Sequence, residues 1–304
     1  MSSSKYLIVI TGPTGIGKTE LSLRLNDIYN TSIISADSRQ VYKEMSIGTA
    51  KPSQQEITDG NIKLVNYISV TEEYNAGSFE KDAIKVVNQD HAEGNISIIC
   101  GGTGLYIKAV TEGLNEYPDI PKAIIKNIES ELKDYGIEAL QKRLLESDPQ
   151  KYANMDIQNS HRLIRALSII DHTGRPFSEF QAIELEPRPF KVINVVLDDE
   201  REVIYKRVEH RVDKMIANGL IDEVESLIQY KDLKALNTVG YSEVFQYLDG
   251  HITKEFCISE IKKNTRRYAK RQLTWLRKFN DGKRFLYSDF DGVKNYVEQE
   301  LDRY

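Results

Sequence analysis

Short apolar runs alternate with amphipathic stretches through the first third of the chain. Residues 6–10, 32–36, 61–69 and 95–100 read as strands, because apolar and β-branched positions cluster there between polar breaks. Helical spacing fills the intervals at 18–29, 78–93 and 103–112, with Gly94 and Gly113 as stops. This alternation predicts an α/β fold with a mainly parallel sheet, whose ligands gather at the carboxyl ends of the strands. Between Pro118 and Pro189 the pattern changes to helices alone, over 122–135, 137–145 and 160–173, and strand signal returns at 191–197. The expected organisation is therefore a core of residues 1–117 and 190–304, interrupted by an all-helical insertion at 118–189. An insertion beside the ligand face is suited to gripping a large substrate.

The first strand runs directly into Gly12, Pro13, Thr14, Gly15, Ile16, Gly17, Lys18 and Thr19, the pattern G-x-x-x-x-G-K-T, followed by a helix. In that setting the glycines turn backbone N–H groups onto a phosphate, Lys18 adds a mobile cation, and the Thr19 hydroxyl suits a Mg2+ ligand at the helix N-terminus. The sheet is thus expected to be a P-loop-type core. The second strand delivers Asp37 to the same edge, where it can serve as a metal ligand, a general base or a helix cap. The fourth strand ends in Gly101-Gly-Thr-Gly-Leu-Tyr106 where a nucleotide-hydrolysing enzyme often places an acid, which weakens a simple ATPase reading. A kinase using ATP, with Asp37 as base, and an RNA-binding nucleotide switch without chemistry both remain open at this point.

Composition narrows the partners. The 304 residues are 40% hydrophobic and 29% charged, and the net charge of −5 argues against a wholly basic nucleic-acid binder. The charge is uneven, however: residues 262–278 carry eight cations and no acid. Lys262 and Lys263, Arg266 and Arg267, and Lys270 and Arg271 recur every four residues, while Ile261, Tyr268, Gln272 and Trp275 follow at helical intervals. One face can then pack while another offers cations to a polyanion. Arg162 and Arg165, one turn apart in the insertion, suit a backbone phosphate or local salt bridges. Cys100 and Cys257 form no C-x-x-C pair, so neither a disulfide framework nor a zinc site is expected, and Cys100 reads as a buried strand residue. No apolar run reaches membrane-spanning length, and the N-terminus lacks a signal-like apolar core, so a cytoplasmic location without membrane contact is expected.

Taken in order, Gly12-Pro-Thr-Gly-Ile-Gly-Lys-Thr19, Ser35-Ala-Asp-Ser-Arg-Gln-Val-Tyr42, Ile47-Gly-Thr-Ala-Lys-Pro52, Gly101-Gly-Thr-Gly-Leu-Tyr106, Arg162-Leu-Ile-Arg-Ala-Leu167 and Lys270-Arg-Gln-Leu-Thr-Trp275 resemble the bacterial tRNA dimethylallyltransferases over nearly the whole chain. The resemblance implies transfer of a dimethylallyl group from dimethylallyl diphosphate to the exocyclic amine of the adenosine 3′-adjacent to the anticodon, with Mg2+ as cofactor. It implies that residues 12–19 hold the prenyl diphosphate rather than ATP. It also implies that Asp37 is the base, that Thr103 lies near the acceptor, and that Arg211 helps bind the diphosphate. Contacts to the tRNA anticodon stem-loop are expected for Asp37, Ser38, Arg39, Gln40, Thr103, His161, Arg162, Arg165, Gly240, Tyr241, Arg266, Arg267, Lys270 and Arg271. No obligate protein partner is expected, and a monomer is the default rather than something the resemblance implies. Two positions depart from the pattern: Ser242 stands where Arg or Lys commonly follows Gly-Tyr, and His161 opens a helix that more often begins with another basic or amide residue. The absence of a C-terminal Cys/His zinc module is similar to the bacterial rather than the eukaryotic members.

Overall fold

In the computed structural model, which describes residues 4–279 and 281–303, strand β1 (Tyr6–Thr11) is buried along its whole length. That burial puts it at the centre of a six-stranded sheet with β2 (Ile33–Ser35), β3 (Ile62–Lys63), β4 (Ile96–Gly101), β5 (Lys191–Asp198) and β6 (Lys283–Leu286), in the order β3-β2-β4-β1-β5-β6. Every pairing is parallel, with Tyr6 to Thr11 in register with Ile96 to Gly101 on one side and Lys191 to Val196 on the other. Parallel strands buried on both faces read as continuous apolar runs, which is why the sequence signal was strong here.

The two faces are set by the two-residue period of the strands. Ile8, Ile10, Ile33, Ile98 and Val195 pack against Leu21 and Leu25 of α1 (Lys18–Tyr29) and Ile204 and Val208 of α10 (Arg201–Ala217). On the opposite face Leu7, Val9, Ile34 and Ile99 meet Phe79, Ala83 and Val87 of α3 (Ala76–Glu93) and Tyr106 and Ile107 of α4 (Gly104–Glu112). The short α2 (Gln54–Asp59) opens with a capping box from Ser53 and Glu56. A third cluster joins α11 (Leu220–Ser226), α12 (Tyr241–Leu248) and the start of α13 (Lys254–Phe279) to residues 41–45. Helix α14 (Phe290–Asp302) adds Val293 and Val297 to the first face.

Residues 61–69, expected as one strand, contribute only the two residues of β3. Leu64 and Asn66 have φ of 58° and 51°, and left-handed residues cannot continue a ladder. β6 gave no signal in the sequence because only Phe285 of its four residues is buried.

The chain divides into two compact units, one of residues 1–112 with 188–304 and one of Gly113–Pro187. The second unit is α5 (Lys122–Tyr135), α6 (Ile137–Ser147), α7 (Pro149–Asn154), α8 (Ser160–Thr173) and α9 (Phe177–Gln181) around Leu140, Leu144, Leu163 and Leu167. Its buried acid Asp148 caps α7 through the Lys151 N–H (2.9 Å) and accepts from the Ser178 N–H (2.7 Å), so one side chain fixes two helices.

Candidate active site

The carboxyl ends of β1, β2 and β4 bring three segments together: residues 12–17, residues 36–40 and residues 101–104. In the first, Gly15 and Gly17 have φ of 80° and 109°, conformations that open the loop ahead of α1 and favour glycine. Lys18 folds back over the loop, donating to the carbonyls of Gly12 (3.1 Å) and Pro13 (2.9 Å). Burial lowers its pKa to about 8, with Cys100 and Asp37 opposing that shift and Arg211 adding to it.

Two arginines of α10 reach the same loop. Arg211 donates from Nη1 to Thr14 Oγ1 (3.0 Å) and from Nη2 to the Thr49 carbonyl (3.2 Å). Burial lowers its pKa, and the neighbouring Asp37 and Tyr268 counteract this. Arg207, one turn earlier, donates from Nε to the Gly15 carbonyl (2.8 Å) and lies over the Tyr287 ring at 4.0 Å. Its i, i+4 spacing from Arg211 is the one local signal in the sequence that pairs the two.

Asp37 accepts from the N–H groups of Arg39 (2.9 Å) and Gln40 (3.4 Å) through Oδ1. The turn is tied to the glycine segment by the Ser38 N–H, which donates to Thr103 Oγ1 (3.1 Å), and by the Thr103 N–H, which donates to the Ala36 carbonyl (3.1 Å). Thr103 also caps α4, since the Tyr106 and Ile107 N–H groups donate to its carbonyl. Gln272 of α13, 8% exposed, closes the arrangement: its Oε1 accepts from the Thr14 N–H (2.8 Å) and its Nε2 donates to the Gly102 carbonyl (3.0 Å).

Two cavities result. One, of about 320 Å³, is lined by Lys18, Thr19, Asp37, Arg207 and Arg211. The other, of about 380 Å³, is lined by Ser38, Thr103, Ile107, Arg271, Trp275 and Leu276. Gly101, Gly102, Tyr268 and Gln272 line both. Burial and the proximity of Asp37 push the Tyr268 phenol up to about 12, so it stays a neutral hydroxyl on the shared wall. The cationic cavity suits a diphosphate, and the neighbouring, more apolar one suits a planar acceptor. Among the described residues no group of three or more His, Cys, Asp or Glu forms a metal cluster. The Thr19 hydroxyl beside the loop is the kind of hard oxygen donor a divalent ion accepts.

The family model for IPP transferases matches residues 40–279. The chain belongs to the IPP transferase family. It is 47% identical to a tRNA dimethylallyltransferase of Christiangramia forsetii, over 98% of this chain and 99% of that one. It is 40% identical to the one of Cytophaga hutchinsonii, over 98% of each. Among solved structures it is similar to the tRNA isopentenylpyrophosphate transferase of Bacillus halodurans (32% identity, TM-score 0.71, 98% and 97% of the two chains). It is also similar to a eukaryotic dimethylallyltransferase acting on tRNA (26% identity, TM-score 0.81, 98% of this chain and 77% of that one). Family membership makes the chain a prenyl-group transferase and sets aside the kinase and switch alternatives.

Within this IPP transferase the residues expected at an RNA surface have mixed fates. Arg39 spends both guanidinium arms on the carbonyls of Lys234 (3.2 Å) and Asn237 (3.3 Å). Gln40 donates to the carbonyls of Thr49 (3.2 Å) and Ala50 (3.3 Å), so both act as fasteners of the Asp37 turn. Arg266 is paired with Glu209, and Lys262 with Asp213 at 2.6 Å. The acids missing from residues 262–278 are thus supplied by α10, a pairing no local pattern reveals. Arg267, Lys270 and Arg271 remain exposed, with Arg271 5.7 Å from the Tyr268 ring. His161, Arg162 and Arg165 are exposed on α8, whose N-terminus is capped by Asn159. Gly240, with φ of 96°, donates its N–H to Glu243 (2.8 Å). Tyr241, also expected to contact RNA, is fully buried, and its side chain offers no surface in this structure.

Proposed function

We propose that this enzyme transfers the dimethylallyl group of dimethylallyl diphosphate to the exocyclic amine of the adenosine 3′-adjacent to the anticodon of tRNA, releasing diphosphate. The observation that carries this reading is the shared wall of the two cavities, with phosphate-binding cations on one side and Ser38 and Thr103 on the other.

The nitrogen forms a bond to the allylic carbon as the carbon–oxygen bond breaks, its electron pair leaving with the diphosphate. Loop N–H groups, Lys18, Arg207 and Arg211 stabilise that growing negative charge. Mg2+ held near Thr19 would supply further charge neutralisation on the leaving oxygens. The adenine amine is a weak nucleophile, and Asp37 takes its proton as attack proceeds. Asp37 Oδ1 is committed to two backbone N–H groups, which leaves Oδ2 as the oxygen to take that proton. Thr103 holds the acceptor side of the turn in place. A base stacked in a loop has to be extruded to reach this wall, at a cost of roughly a few kcal/mol. Contacts from Arg267, Lys270 and Arg271, and from His161, Arg162 and Arg165 on the helical unit, would offset it.

The test is a choice of donor. Purified protein with Mg2+ and unmodified tRNA is given either dimethylallyl diphosphate or ATP, and the digested nucleosides are weighed by mass spectrometry. Dimethylallyl-adenosine with the prenyl donor alone is the expected result. ATP consumption without a prenylated nucleoside would refute the reading.

A further inference from the structure

Two motifs singled out in the sequence, Ile47-Gly-Thr-Ala-Lys-Pro52 and Gly240-Tyr241, line neither cavity except through Ala50 and Pro52. The fold joins them through a residue outside both. The N–H groups of Ser46 (3.0 Å), Ile47 (2.7 Å) and Gly48 (3.0 Å) converge on the carboxylate of Glu223, and the Tyr241 hydroxyl donates to the same carboxylate at 2.5 Å. Four donors fill the acceptor capacity of one carboxylate, and bonds to an ionised acceptor are the strong kind. The Tyr241 ring lies against Gly48 so closely that a Cβ there would sit 2.4 Å from it.

The next residue transmits this clamp. The Thr49 carbonyl accepts from Arg211 Nη2 (3.2 Å) and Gln40 Nε2 (3.2 Å), while Thr49 Oγ1 donates back to the Met45 carbonyl (2.9 Å). Arg211 has one other anchor, Thr14 Oγ1, and its Nε is buried without a hydrogen-bond partner among the described residues. Half of what aims this guanidinium therefore depends on where the Thr49 carbonyl is held.

We propose that Glu223, with Tyr241, is a positioning residue that sets Arg211 for the diphosphate through the backbone of residues 46–49. The inference rests on the reading of Arg211 as a diphosphate ligand, and it gives the Gly-Tyr motif a role in donor binding in place of RNA contact. A glutamine at 223 keeps the size of the side chain but has one acceptor oxygen, and its amide N–H groups oppose the loop donors.

The experiment measures binding of inorganic diphosphate with Mg2+, KM and kcat for the prenyl donor, tRNA affinity and melting temperature. It uses the full-length wild type, Glu223→Gln, Tyr241→Phe, Arg211→Lys and the Glu223→Gln/Arg211→Lys pair. Glu223→Gln is expected to weaken diphosphate binding and raise the donor KM by roughly tenfold, with tRNA affinity unchanged. Tyr241→Phe moves both in the same direction by less, and it carries the test if Glu223→Gln does not fold. The double variant should bind diphosphate no more weakly than Arg211→Lys alone, because the clamp acts through Arg211. A lowered melting temperature with unchanged diphosphate affinity and KM would overturn the proposal, as would independent, multiplying effects in the double variant. Failure of the wild type to bind diphosphate would strike the reading beneath it first.

Discussion

Lys18 shows how much of the site's chemistry rests on single groups. Its ammonium is buried, satisfied by two loop carbonyls, and lowered to about 8. The cation is the form that binds diphosphate, so raising the pH through about 8 removes it and weakens binding. The expected signature is a donor KM that is flat below that point and rises by up to about tenfold per pH unit above it, while Lys18→Met gives a high and pH-independent KM. At Asp37 the expectation concerns rate. Asp37→Asn keeps an oxygen for the Arg39 and Gln40 N–H groups but cannot accept the amine proton, so single-turnover transfer should fall by about 10²–10⁴-fold with tRNA affinity near wild type. Wild-type transfer by that variant would remove Asp37 as the base. Both residues were legible in the sequence because their chemistry is tied to a position at a strand end. Gln272 has no role legible in the sequence, since a lone glutamine on a helix becomes informative only when its neighbour across the fold is known, whereas the spacing of Arg207 from Arg211 is a local signal.

Among the elements, α13 connects surface and site. Its exposed edge carries Arg267, Lys270 and Arg271, and its buried edge places Gln272 on the phosphate loop and Trp275 over the start of α4. A Cβ at Gly104 would lie 2.4 Å from the Trp275 ring. Gly104→Ala should therefore force α4 and α13 apart, costing about 1–3 kcal/mol in urea unfolding. Trp275 is the one tryptophan in the sequence, so its fluorescence reports this contact directly. An unchanged emission spectrum and stability would contradict the packing. Periodicity in the sequence revealed that α13 has two faces but not what each meets. The acids that neutralise Arg266 and Lys262 come from α10, more than forty residues earlier, and the burial of Tyr241 depends on the distant Glu223 and Gly48. The strand errors have a similar origin: the positive φ at Leu64 and Asn66 is set by tertiary context and cut the expected strand to two residues.

At the scale of the whole molecule, the parallel sheet was readable because buried strands and their helices alternate with little ambiguity, and the strand ends then dictate where the loops converge. The Gly113–Pro187 unit has its own core and exposes His161, Arg162 and Arg165, while the larger unit contains both cavities and the exposed cations of α13. Among the described residues no helix is long and apolar enough to cross a membrane. In the proposed reaction an adenosine amine beside the anticodon accepts the prenyl group. Its most direct test uses two tRNA transcripts, one with the natural adenosine 3′-adjacent to the anticodon and one with inosine there, which lacks the amine. Each is incubated with Mg2+ and isotopically labelled dimethylallyl diphosphate, digested and weighed. Label is expected on dimethylallyl-adenosine from the first transcript and none from the second. Label on any nucleoside of the inosine transcript, or none on either, would contradict it.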